Sequence, residues 1–129
     1  MSITVDWHDS EKTIILYVFS GKWTWSEFYD VYHRAIAMEN SAPNRVDVVI
    51  DFRQSAIPPT NVLLNLKYIA DNQPPNIGLS ILVSKSPLVR SLYEVAQKFH
   101  RPIGEYFRVV GTMDDAFAMI AELRHVRAG

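Results

Sequence analysis

Val46-Asp47-Val48-Val49-Ile50-Asp51-Phe52 is an apolar run broken only by two aspartates. So short a run, rich in β-branched residues, reads as a strand buried inside a mainly parallel sheet. Working outward, each neighbour of this strand has a helical period. Upstream, Thr24-Trp25-Ser26-Glu27 is a capping box, in which the Thr24 hydroxyl accepts from the N3 amide while Glu27 reaches back. Trp23 and Phe28 hold the staple positions around it. The helix is expected to run to about Glu39 with Phe28, Tyr32, Ala35 and Ile36 inward, and Asn40 to Asn44, with Pro43, forms the loop back to the strand. Before the helix, Ile3 to Trp7 and Thr13 to Phe19 are β-rich runs joined by His8-Asp9-Ser10-Glu11-Lys12, the pattern of a hairpin.

Downstream, Arg53 to Pro59 leads to Thr60, which can cap a helix carrying Leu63, Leu66, Ile69 and Ala70 and stopped by Gln73-Pro74-Pro75. Ile77 to Val83 is the next strand. Ser86-Pro87 sets a cap and an N1 proline ahead of a helix expected to bury Leu88, Leu92, Val95, Ala96 and Phe99. His100-Arg101-Pro102 closes it. Tyr106 to Val110 is the last strand, and Thr112 with Asp115 opens a last helix burying Ala116, Phe117, Ile120 and Leu123. The order β-β-α-β-α-β-α-β-α implies right-handed crossovers and parallel pairing from the second strand onward. Residues 1–129 contain no internal repeat or linker, so one α/β domain is expected.

Alternation within the strands adds an expectation about the two faces. Ile14, Leu16, Val18, Val46, Val48, Ile50, Phe52, Ile77, Leu79, Ile81, Val83, Phe107 and Val109 form a wholly apolar set. The complementary set is mixed, so most helices should pack on the first face. A strip of Ile15, Tyr17, Phe19, Val49 and Leu82 is then expected on the second, either under thin cover or serving as a surface for a partner or a second copy.

Composition narrows the function. The 129 residues are 48% hydrophobic and 21% charged, with a formal net charge of −1. Such a chain can build a sizeable core but lacks the basic excess that phosphate backbones require, so nucleic acid is not an expected partner. There is no cysteine, which removes disulfides, thiolate metal sites and a cysteine nucleophile together. Met1 to Asp6 has neither a basic start nor an apolar run of signal-peptide length. Nor does any stretch approach ~20 consecutive apolar residues. A cytoplasmic location without membrane insertion is expected. His8, His33, His100 and His125 stand singly, outside zinc spacing, and no phosphate-cradling glycine loop occurs. The expectation is therefore no catalytic residue, no metal and no cofactor.

Over essentially the whole chain this order of elements resembles the SpoIIAA-like fold of the STAS domains, known from anti-sigma-factor antagonists and anion-transporter tails. The resemblance is carried by the N-terminal hairpin, the strand Val46 to Phe52, and Tyr106-Phe107-Arg108-Val109-Val110 leading into Asp114-Asp115-Ala116-Phe117. It implies a non-catalytic regulatory or scaffolding domain that docks another protein and is switched by phosphorylation. The antagonists' Asp-Ser-Ser-Gly-like segment falls around Pro59-Thr60-Asn61-Val62, where the Asp and Gly are missing and Thr60 alone could stand in as phosphoacceptor. Ser55 is a second candidate.

Parallel sheets place ligands beyond the carboxyl ends of their strands. That rim holds Lys22, Asp51, Arg53, Ser55, Lys85 and Ser86, with Trp25 and Thr60 beside it, as candidates for partner or anion binding. Asp51 reads equally as a carboxylate bonded to loop amides. Trp23 is the staple, leaving Trp25 either as an exposed aromatic anchor or buried against the neighbouring loop. The protein partner carries no identity in the sequence. A homodimer fits the same surfaces, and a small polar ligand held by Asp51 and Arg53 is the alternative.

Overall fold

A computed structural model describes residues 2–56 and 60–128, with side chains through His125. The elements are β1 (Ile3–Trp7), β2 (Ile14–Gly21), α1 (Trp25–Ser41), β3 (Val46–Ser55), α2 (Val62–Asp71), β4 (Ile77–Val83), α3 (Pro87–Phe99), α4 (Arg101–Tyr106), β5 (Phe107–Val110) and α5 (Met113–Ala128). The five strands lie in sequence order. β1 runs antiparallel to β2, and all later pairs are parallel. Helices α1 to α4 cover one face and α5 the other. The expected α/β class, N-terminal hairpin and one-sided bias of the helices are all present.

Local chemistry sets the helix ends. The Thr24 hydroxyl accepts from the Glu27 amide at 3.1 Å, and Trp23 meets Phe28 with ring centroids 6.2 Å apart. Glu27 does not close the box, because its Oε2 accepts from the Ser2 amide at 2.9 Å and so ties the helix start to the N-terminal strand. Ser86 caps α3 ahead of Pro87, and Thr112 accepts from the Asp115 amide at 3.0 Å.

Five expectations are corrected. Leu88, Val95 and Phe99, expected on the buried face of α3, are exposed. Thr60 does not cap α2: Asn61 holds the cap position in the left-handed region (φ 66) without a side-chain bond. Ile57, Pro58 and Pro59 lie outside the described residues. His100-Arg101-Pro102 does not simply end α3 but starts a further helix, α4, whose first turn takes the proline. The phase between strands also differs, since Ile15 lies beside Val48 and Tyr17 beside Ile50. Ile15, Tyr17 and Phe19 therefore join Val48, Ile50 and Phe52 beneath α1 to α4. No exposed strip forms: Ile15, Tyr17, Phe19 and Val49 are buried and Leu82 is half-buried.

On the α5 side, Asp47 is 1% exposed. Its Oδ1 accepts from the Leu79 amide at 2.8 Å and Arg45 Nη2 at 2.9 Å, and its Oδ2 from Arg124 Nε at 3.1 Å. Arg124 also donates to the Thr13 carbonyl at 2.8 Å. A buried carboxylate is tolerated when its lone pairs are filled in this way, and this one pins α5 to β3 and β4.

Candidate functional site

The rim gathers only some of the expected residues. Arg53, Ser55, Lys85 and Ser86 line a cleft of about 200 Å³ beyond β3 and β4, together with Phe52, Leu88 and Val89. Asp51 turns away to a bidentate pair with Arg53, both contacts at 2.9 Å. These bonds hold the Asp51 carboxyl below its ordinary range. The pair satisfies itself and leaves Asp51 outside the cleft wall. Lys22 is exposed. Thr60 is exposed too, and its carbonyl accepts from Trp25 Nε1 at 2.7 Å. Trp25 is no free anchor: it is half-buried and meets Trp23 edge-on at 4.9 Å. Trp23 Nε1 in turn donates to Ser55 Oγ at 3.0 Å.

A second, more apolar cavity of about 140 Å³ lies deeper, between the sheet and the α1–α4 layer. For comparison, an apolar cavity of about 150 Å³ takes up benzene. Its floor includes Tyr17, Phe19, Val48, Ile50, Ser80 and Leu82. Along α1 the wall is Trp25, Phe28, Tyr32 and Glu39, one helical face at spacings of three, four and seven. At 1.5 Å per residue, these four span roughly 21 Å. The roof is Val62, Leu66 and Ile69 of α2 with Val89, Leu92 and Tyr93 of α3. These two helices pack on α4 and on each other, and their buried residues Ile69, Ala70, Val89 and Ala96 share one core with the sheet. Tyr93 Oη anchors α3 to the Phe107 carbonyl at 2.7 Å, and Tyr29 Oη anchors α2 through Asn65 at 2.6 Å.

The cavity has a polar end. Glu39, in the last turn of α1, is 3% exposed and Tyr32 is 7% exposed. Glu39 Oε2 and Tyr32 Oη are buried without a hydrogen-bond partner. Burial alone raises the Glu39 carboxyl to about 7. Burial, followed by the nearby Glu39, raises Tyr32 to about 12. The Tyr17 phenol is pushed well up for the same two reasons. Unpaired buried polar groups cost stability, and two of them lie along this chamber. Sequence reasoning missed Tyr17, Tyr32 and Glu39. Tyr17 reads as part of the strip on the second face, Tyr32 as an inward position of the helix, and Glu39 as the helix end. The available signal was a Glu seven residues after Tyr32 on the inward face of α1.

Among the described residues, no group of three or more His, Cys, Asp or Glu converges as a metal site, and no helix is long and apolar enough to cross a membrane. No described protein family matches the sequence, and no curated protein does. In three dimensions the chain is similar to an uncharacterised protein of the DUF3478 family from Shewanella loihica PV-4, described as having a SpoIIAA-like fold. The TM-score is 0.63 at 11% identity, covering 91% of this chain and 90% of the other. With the strand order and hairpin above, this likeness establishes that the chain has a SpoIIAA-like fold.

Proposed function

We propose that the protein binds a slender apolar small molecule in the chamber between the sheet and the α1–α4 layer, with the ligand's polar end at Tyr32 and Glu39. The observation that carries this reading is the pair of buried, unpartnered polar atoms at one end of an otherwise apolar chamber. Ligand sites are typically apolar enclosures with a few polar groups that fix orientation. The proposed role is binding, not turnover. It places the small-molecule alternative beneath the helices and away from the Asp51–Arg53 rim.

The test uses a neutral fluorescent probe, N-phenyl-1-naphthylamine, whose emission rises on entering an apolar site. The wild-type chain should bind it at one site, and Leu66→Trp, which fills the chamber from α2, should abolish the signal while keeping the thermal midpoint within a few degrees. A Leu66→Trp protein that binds the probe as well as wild type would place the site elsewhere.

A second reading, docking of another protein in a regulatory role, is favoured by a different observation. Leu64 and Tyr68 on α2 and Leu88, Val95 and Phe99 on α3 are exposed, and such groupings mark interaction surfaces. Phe99→Glu should then abolish any self-association seen by size-exclusion chromatography with light scattering, or any partner recovered by pull-down from native extract.

A further inference from the structure

We propose that the chamber selects apolar chains whose polar end is a hydrogen-bond donor without negative charge, an alkyl amine above all, seated against Glu39 and Tyr32. This inference rests on the small-molecule reading above and specifies the class of ligand.

The chemistry of the polar end decides the class. An ionised carboxylate only accepts hydrogen bonds, and Glu39 Oε2 receives none from the protein. Its nearest polar neighbours carry no opposing charge. Tyr17 faces it from β2, Tyr32 from its own helix, and both remain neutral phenols at ordinary pH. Ser80 of β4 and Gln73 beyond α2 complete the polar wall without charge. Arg108 reaches the wall from β5, but its Nη1 donates to the Gly104 and Phe107 carbonyls, and burial is the sole influence on the acidity of Glu39.

A carboxylate or phosphate head seated at Glu39 would meet a like charge there, while Arg108, a cation of the chamber wall, is tied through Nη1 to the Gly104 and Phe107 carbonyls. An ammonium head reverses that balance. It supplies three donors to acceptors that lack them, and its charge removes the cost of an isolated buried carboxylate. The aromatic walls add to the preference, because ring faces such as those of Tyr17, Phe28 and Tyr32 attract a desolvated cation. A neutral alcohol can satisfy the same acceptors without the charge and should rank between the two.

Three ligands with one chain separate the possibilities: decylamine, decanol and decanoate, titrated below their aggregation limits and followed by the emission of Trp23 and Trp25, which line the chamber. At about pH 8.5, decylamine should bind at least about tenfold more tightly than decanoate. Decylamine stays cationic throughout, so its affinity should fall roughly 30-fold by about pH 5.5, where a carboxyl titrating near 7 is mostly protonated. Glu39→Gln should erase both the amine preference and its pH dependence while binding decanol as wild type does, which also shows that the variant is folded. Decanoate binding as tightly as decylamine, or a Glu39→Gln protein that keeps the amine preference, would overturn the head-group inference and leave the chamber as a ligand site. If none of the three binds at either pH, the small-molecule reading itself fails and this inference falls with it.

Discussion

Glu39 is a single side chain whose burial makes folding depend on pH, and the sign is fixed by its raised acidity constant. Its ordinary value of 4.5 becomes about 7 in the folded chain, so between those values the native state holds a proton that the unfolded chain has released. Stability should therefore be highest below about pH 4.5 as far as this group is concerned, and should decline as pH rises through 7. The loss amounts to about 3 kcal/mol. Urea unfolding of wild type and Glu39→Gln at a series of pH values isolates the effect: the variant should be the more stable above pH 7, with the gap closing toward pH 5. A constant gap across the range would show that the carboxyl does not titrate in that window. Gly78 is a second residue where one atom decides the outcome. A Cβ there would land within the Asp47 carboxylate and the Arg45 guanidinium. Asp47 cannot yield without losing the Leu79 amide and Arg124. Breaking a buried ion pair costs about 3–5 kcal/mol, so Gly78→Ala should lower unfolding free energy by about 3 kcal/mol. A loss below about 1 kcal/mol would mean the Asp47 network rearranges freely.

At the scale of elements, the sequence is most informative where a structure depends on neighbours in the chain. The Thr24 cap, the Trp23–Phe28 staple, Ser86-Pro87 and Thr112 are local devices, and each is found where its residues predict it. Thr24→Ala should accordingly cost about 1 kcal/mol in a denaturation curve, the usual worth of such a cap; an unchanged midpoint would leave the helix start held by the staple and the Glu27–Ser2 bond alone. Two elements depended on something not local. Thr60 has the right chemistry for a cap, but the chain turns through Asn61 in the left-handed region, and the Thr60 carbonyl is held by Trp25 from another helix. The face assignment failed for a related reason. β2 is apolar at every position from Ile14 to Phe19, so its composition sets no phase relative to β3. The register, with irregularities after Val18 and Val46, is set by pairing across strands. Period within a strand is legible, whereas phase between fully buried strands is a tertiary property.

For the molecule as a whole, the order of elements sufficed for the SpoIIAA-like architecture because crossover handedness leaves few ways to arrange it. The chamber was not legible, since it depends on how α2 and α3 roof the sheet, a tertiary arrangement that no periodicity encodes. Glu39 becomes informative only once Tyr17 and Tyr32 are brought beside it from two elements. The same roof makes a prediction about motion. α2 has no side-chain cap, α3 leaves Leu88, Val95 and Phe99 outward, and both helices line the cavity as its roof. Segments with few buried apolar contacts open at lower free energy than the core. Amide hydrogen exchange of the free protein should therefore be at least about tenfold faster in residues 62–71 and 87–99 than in β2, β3 and α1. A ligand filling the chamber supplies the roof with the contacts it lacks, so decylamine at saturation should slow exchange in α2 and α3 selectively and leave the α5 side unchanged. Roof amides as slow as those of β3 in the free protein would show that α2 and α3 are held as firmly as the sheet, and entry to the chamber would then require another route than their outward movement.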